Sequence, residues 1–113
     1  MRDDLLTPLE QISTAAEHLL ADTDLSFEQE QIVQSVHHVA REMVELVVSI
    51  PDLTWDKARE VFSFESRSHL ASIIGYAEVL LDDSKLDSQQ VEYVKQVQSS
   101  GKHVLSRLAS LEN

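Results

Sequence analysis

Slid over itself by 61 positions without a gap, the chain agrees with itself at twelve places: Leu9/Leu70, Ile12/Ile73, Ala16/Ala77, Glu17/Glu78, Leu19/Leu80, Leu20/Leu81, Asp22/Asp83, Leu25/Leu86, Gln29/Gln90, Val33/Val94, Val36/Val97 and Ser49/Ser110. Unrelated sequences of ordinary composition agree at roughly 6–7% of positions, or about 3 over such a span. Shared periodicity raises that figure, but it does not account for Asp22/Asp83 and Leu25/Leu86, which fall in turns of equal length. Two copies of one unit follow: a first hairpin over residues 1–50 and a second over 55–113, joined by 51–54. A hairpin with one apolar stripe per helix cannot cover both stripes alone. The two copies are therefore expected to close on each other as a single four-helix domain.

Within each unit the apolar residues return at helical spacing. Leu5, Leu9, Ile12, Ala16 and Leu19 alternate steps of four and three, as do Ile32, Val36, Val39, Met43, Leu46 and Ile50. Ser26 with Gln29, and Asp87 with Gln90, have the spacing of capping boxes, with Leu86 placed to staple onto Val91. The second helix is predicted to begin near Phe27 and to stop near Ser49, ahead of Pro51. Asp52 or Thr54 is predicted to cap the third and longest helix, which carries Phe62, Leu70, Ile73, Ala77 and Leu80 to about Leu81. Trp55, with Val61 and Phe62, lies on extra turns of this helix and is read as core covering the bundle's open end, the alternative being a partner patch. The fourth helix carries Val94, Val97, Val104 and Leu108, with Gly101 as a point of close packing. The short connection between hairpins demands antiparallel neighbours. The fold class predicted is all-α, an up-down-up-down antiparallel four-helix bundle.

Composition narrows the function classes. Twenty acidic and nine basic side chains leave a net charge of −11. Such a surface repels phosphate backbones and anionic lipid, so neither nucleic acid nor membrane is an expected partner. Without cysteine there is no disulfide, thiolate metal site or cysteine nucleophile. The histidines lack metal-site spacing, so no metal and no cofactor is expected. Met1 is followed by RDDLLTPLE, which has neither a basic n-region nor an apolar h-region, and the expected compartment is the cytoplasm.

The second hairpin reads FESRSHLASIIGYAEVLLDD, a spacer, then LDSQQVEYVKQVQSSGKHVLSRL. This resembles the dimerization and histidine-phosphotransfer domain of sensor histidine kinases, whose first helix reads S-H-E-L-R-T-P-L-x-x-I-I-G-Y-x-E-L-L. Arg67, Leu70, Ile73, Ile74, Gly75, Tyr76 and Glu78 stand on family-typical residues, with Ser68 where Thr is usual, and Leu86-Asp87-Ser88-Gln89-Gln90 echoes the family's turn. The resemblance covers about fifty residues. The first hairpin resembles the same domain less fully, through Leu5, Thr7, Pro8, Leu9, Ile12 and the turn LSFEQEQ. In the family, two identical hairpins from two subunits make the bundle. Here one chain carries both, implying a monomeric pseudo-dimer; the alternative is a homodimer in which each hairpin pairs with its counterpart in a second chain.

The departures from the family matter most for function. The resemblance puts the phosphoacceptor histidine at Asp3 in the first copy and at Phe64 in the second, and neither can form a phosphoimidazole. No glycine-rich phosphate loop appears, so the chain is not expected to be a kinase. His69 stands at the family's Pro position and is the alternative acceptor. The family's acidic-x-x-Thr element, which assists dephosphorylation of the regulator by orienting water, corresponds to Asp4 with Thr7 and to Glu65 with Ser68. His38 and Glu42 have helical pair spacing, whereas His18 and His103 show no partner spacing. Charge divides unevenly: residues 1–52 hold 2 basic and 11 acidic side chains, a net −9, and residues 53–113 hold 7 and 9, a net −2.

What the resemblance implies is a non-catalytic signalling adaptor that binds a response-regulator receiver domain or a histidine kinase. Glu10, Thr14 and Glu17, or Ala71, Gly75 and Glu78, are its candidate contacts. A phosphatase using the acidic-x-x-Thr/Ser element is a second class. A purely structural oligomerisation bundle, or a fragment of a larger signalling protein, is a third.

Overall fold

The computed structural model describes residues 2–50, 55–82 and 85–111. It consists of α1 (Arg2–Asp22), α2 (Phe27–Ser49), α3 (Trp55–Leu81) and α4 (Ser88–Leu111). The long axis of 46 Å is set by the helices themselves, since the 27 residues of α3 span about 40 Å at 1.5 Å per residue. Helix α1 packs on α2 and on α4, α3 packs on α4, and α2 packs less extensively on α3. The pairs α1/α3 and α2/α4 lie on the diagonals, with their backbones apart among the described residues. The fold is an all-α four-helix bundle in which each helix of one hairpin has a neighbour in the other.

The helix starts follow from side-chain chemistry. At α2 the Ser26 hydroxyl accepts from the Gln29 amide at 3.1 Å, and the Gln29 side chain accepts from the Ser26 amide at 2.8 Å. The same reciprocal box opens α4: Asp87 accepts from the Gln90 amide at 2.8 Å, and Gln90 accepts from the Asp87 amide at 2.9 Å. Leu86 and Val91 are both half-buried there. Gln90 also donates from Nε2 to the Asp24 carbonyl at 2.8 Å, which ties the turn of one hairpin to that of the other. The expected caps Asp52 and Thr54, and Asp83 of the repeat, lie outside the described residues.

One continuous core runs through all four helices. The predicted stripes of α1, α3 and α4 are buried as expected, from Leu5 to Leu19, Phe62 to Leu80 and Val94 to Leu108. Trp55 is buried with its ring tilted against Phe62 at 5.9 Å between centroids. Val61, on the same turns, is exposed. In α2 the expected seam is corrected. Ile32, Val39 and Ile50 are only half-buried and Leu46 is exposed, while the inner row is Gln29, Val33, Val36, Ala40, Met43 and Val47. The two rows share Val36 and Met43, and α2 is turned so that the second faces α1 and α3. Gly101 packs closely as expected: a Cβ there would meet Ile74 Cγ1 at 3.1 Å.

Candidate functional site

Two contacts set the register between α1 and α4. Ser100 Oγ donates to Gln11 Oε1 at 3.3 Å, and near the hairpin turns the His18 ring stacks on Tyr93 with centroids 5.3 Å apart. In this antiparallel register Asp3, Thr7 and Gln11, one turn apart on α1, stand level with Arg107, His103 and Ser99, one turn apart on α4. These residues, with Asp4, Pro8 and Ser100, line an open groove of about 530 Å³. Pro8 sits in the interior of α1 and is buried. Its ring nitrogen has no hydrogen to give the Asp4 carbonyl, so that bond is missing from the helix beside the groove.

The groove gathers Asp4 and Thr7, the element expected in the first hairpin, and adds His103 and Arg107, which sequence reasoning did not assign. Asp3, Asp4, Thr7, His103 and Arg107 are all exposed. Among the described residues Arg107 forms no ion pair and His103 no hydrogen bond, although Asp3 and Asp4 line the same groove. The Thr7 hydroxyl is likewise without a partner among the described residues. Ser99 turns its hydroxyl toward the Gln96 carbonyl at 3.4 Å. A sequence signal for the pair did exist, since His103 and Arg107 are four apart on a helix and fall on one face.

The second copy is built differently. Phe64 is 78% exposed, and Glu65 and Ser68 are also exposed. The Ser68 hydroxyl is directed at the Glu65 carbonyl of its own helix at 3.4 Å. Offset by 61 positions, His103 and Arg107 correspond to Glu42 and Leu46 on α2, which line a shallow hollow of about 390 Å³ with Glu45 and Ser49. Two related faces therefore carry opposite chemistry, a mixed-charge groove on one and acidic and apolar side chains on the other.

The remaining residues of interest are dispersed. Glu10, Thr14, Ala71 and Glu78 are exposed, and Gly75 is half-buried, with open space where a Cβ would stand. Glu17 is exposed and bonds His37 Nε2 at 3.1 Å, linking α1 to α2. His38 pairs with Glu42 at 2.9 Å, as its spacing predicts. His18 does have a partner, contrary to expectation: Nδ1 lies 2.8 Å from Asp22 Oδ2, four residues on. His69 is half-buried. Among the described residues no group of three His, Cys, Asp or Glu side chains is arranged to hold a metal ion, and no helix is long and apolar enough to cross a membrane. Comparison with protein-family models, with curated proteins and with solved structures finds no match for this chain.

Proposed function

We propose that this chain is a non-phosphorylating adaptor of two-component signalling, a histidine-kinase-like bundle made by one polypeptide that binds a response-regulator receiver domain or a kinase. The observation that carries the reading is a combination. The helices pack so that each helix of one hairpin has a neighbour in the other, and the two positions that the resemblance equates with a phosphoacceptor are exposed yet bear Asp3 and Phe64. A partner that docks there finds an accessible helix face and no imidazole to phosphorylate. Binding then sequesters the partner or competes with its own kinase. The accessible Glu10, Thr14 and Glu17 of α1, and Ala71, Gly75 and Glu78 of α3, continue those faces toward the turns.

The test mixes the chain with a broad panel of phosphorylated receiver domains and follows complex formation, phosphate release and phosphate transfer together. The expected result is saturable binding with no transfer. Acid-labile phosphate on His69, or no binding across the panel, overturns the adaptor. A phosphatase is the second reading, and the groove favours it in the first copy alone, where Thr7 has a free hydroxyl one turn from Asp4 while Ser68 is directed at its own backbone. Accelerated phosphate release that is abolished in Thr7→Ala would establish it.

A further inference from the structure

We infer that the groove between α1 and α4 is a phosphoryl-binding site in which Arg107, His103 and Thr7 hold the phosphoryl group of a phosphorylated aspartate on the docked partner. This rests on the receiver-binding reading above and sharpens it, because it makes the activated form of the regulator the one that is bound.

The first observation is an arginine without a carboxylate. Arg107, like Arg41 and Arg59, pairs with no carboxylate among the described residues, and it does so while lining the groove with Asp3 level with it across the gap. The opposite walls carry opposite charges that are not paired with each other. A third group of suitable size can fill the gap.

The second observation separates the histidines. The rings of His18, His37 and His38 each engage a carboxylate, at 2.8, 3.1 and 2.9 Å. His69 and His103 engage nothing among the described residues; His69 is half-buried, whereas His103 is exposed and lies on the same face of α4 as Arg107. A guanidinium offers a planar fork of N–H donors to two oxygens of a tetrahedral anion, and an imidazole N–H one turn away reaches a third. Thr7, level with His103, supplies a hydroxyl donor from the opposite wall. A partner carboxylate has only two oxygens and would leave part of this donor set unused.

Asp3 and Asp4 determine what kind of phosphoryl group is accepted. Two carboxylates at one wall repel a bare anion, so free phosphate binds weakly. They favour a phosphoryl group whose charge is already balanced by a cation in the partner's own site. The pseudo-equivalent face has Glu42 and Leu46 at the places of His103 and Arg107, so only one of the two faces reads phosphate.

The test measures affinity for a receiver domain with and without beryllofluoride and Mg²⁺, which mimic the phosphorylated aspartate, using the full chain and the exposed-site variants Arg107→Gln and His103→Gln. The expected result is at least tenfold tighter binding of the loaded receiver. Arg107→Gln should remove that preference, read as the ratio of loaded to unloaded affinity, and His103→Gln should reduce it. Equal binding of both receiver forms by the unaltered chain, or a preference that survives Arg107→Gln, overturns the inference. If the chain binds no receiver in either form, the adaptor reading fails separately. The groove is then decided by titrating inorganic phosphate while observing the His103 ring by NMR. A weak but saturable shift at high phosphate concentration that is lost in Arg107→Gln supports the site, and no shift even at high phosphate overturns it.

Discussion

Seven of the twelve residue pairs that the hairpins share are buried in both copies: Leu9/Leu70, Ile12/Ile73, Ala16/Ala77, Leu19/Leu80, Gln29/Gln90, Val33/Val94 and Val36/Val97. What the repeat preserves is chiefly an inner surface, where a change of one methylene is felt by close-packed neighbours. Outside, the copies are free to differ, and the two glycines show how sharply the environment decides. A Cβ at Gly75 meets nothing within 4 Å, so Gly75→Ala should gain about 1 kcal/mol of stability from helix propensity alone. At Gly101 the same methyl meets Ile74 Cγ1 at 3.1 Å, and Gly101→Ala is expected to lose about 1 kcal/mol net as overpacking outweighs propensity. Urea denaturation of the two variants checks the opposite signs. At this scale the site was half legible in the sequence. Asp4 and Thr7 are three residues apart, a spacing that needs only a helix to become a surface pair. His103 and Arg107 become their neighbours only through the register of α4 on α1, which long-range packing sets and local spacing does not contain.

The helices begin where side chains satisfy orphan amides, and the two capping boxes are alike in local form but unequal in reach. Ser26→Ala removes one acceptor from the start of α2 and should cost about 1 kcal/mol. Gln90→Ala removes the partner of the Asp87 amide and also the bond to the Asp24 carbonyl, at a buried position. It should cost about 2–3 kcal/mol, the larger loss reflecting polar groups left without partners. Thermal melts of both variants against the unaltered chain test the ranking. The caps of α2 and α4 and three of the four inner faces could be read directly, since each depends on residues within a turn or two. The face of α2 could not. Its apolar residues populate two adjoining rows, one through Ile32, Val39 and Leu46 and the other through Val33, Ala40 and Val47. Periodicity scores both rows alike, and only the positions of α1 and α3 choose between them. The repeat held the missing clue, because Val33 and Val36 match Val94 and Val97.

Across the whole molecule, the packing order distributes two unlike hairpins over shared faces. The mixed-charge groove is made half by α1 of the acidic copy and half by α4 of the nearly neutral one, so it exists only when the hairpins are closed on each other. Closure also bears on assembly. Among the described residues each helix covers its stripe with one neighbour from its own hairpin and one from the other, so a single chain closes its own core. A single core predicts a single cooperative unfolding transition. Leu9 and Leu70, equivalent positions in different hairpins, are both fully buried. Replacing either by Ala should cost about 2–5 kcal/mol. Both losses should appear as shifts of the same midpoint, with circular dichroism and tryptophan fluorescence coincident, because Trp55 reports one end of the shared core while circular dichroism reports all four helices. The particle should keep the 12.8 kDa mass of one chain in light scattering throughout. Two transitions, one moved only by Leu9→Ala and the other only by Leu70→Ala, would mean that the hairpins fold as independent units. A mass near twice that of the chain would mean that hairpins exchange between chains. In that second case the groove would be completed by α4 of another copy, and the affinity of the Arg107 site for its phosphorylated partner would fall on dilution of the protein.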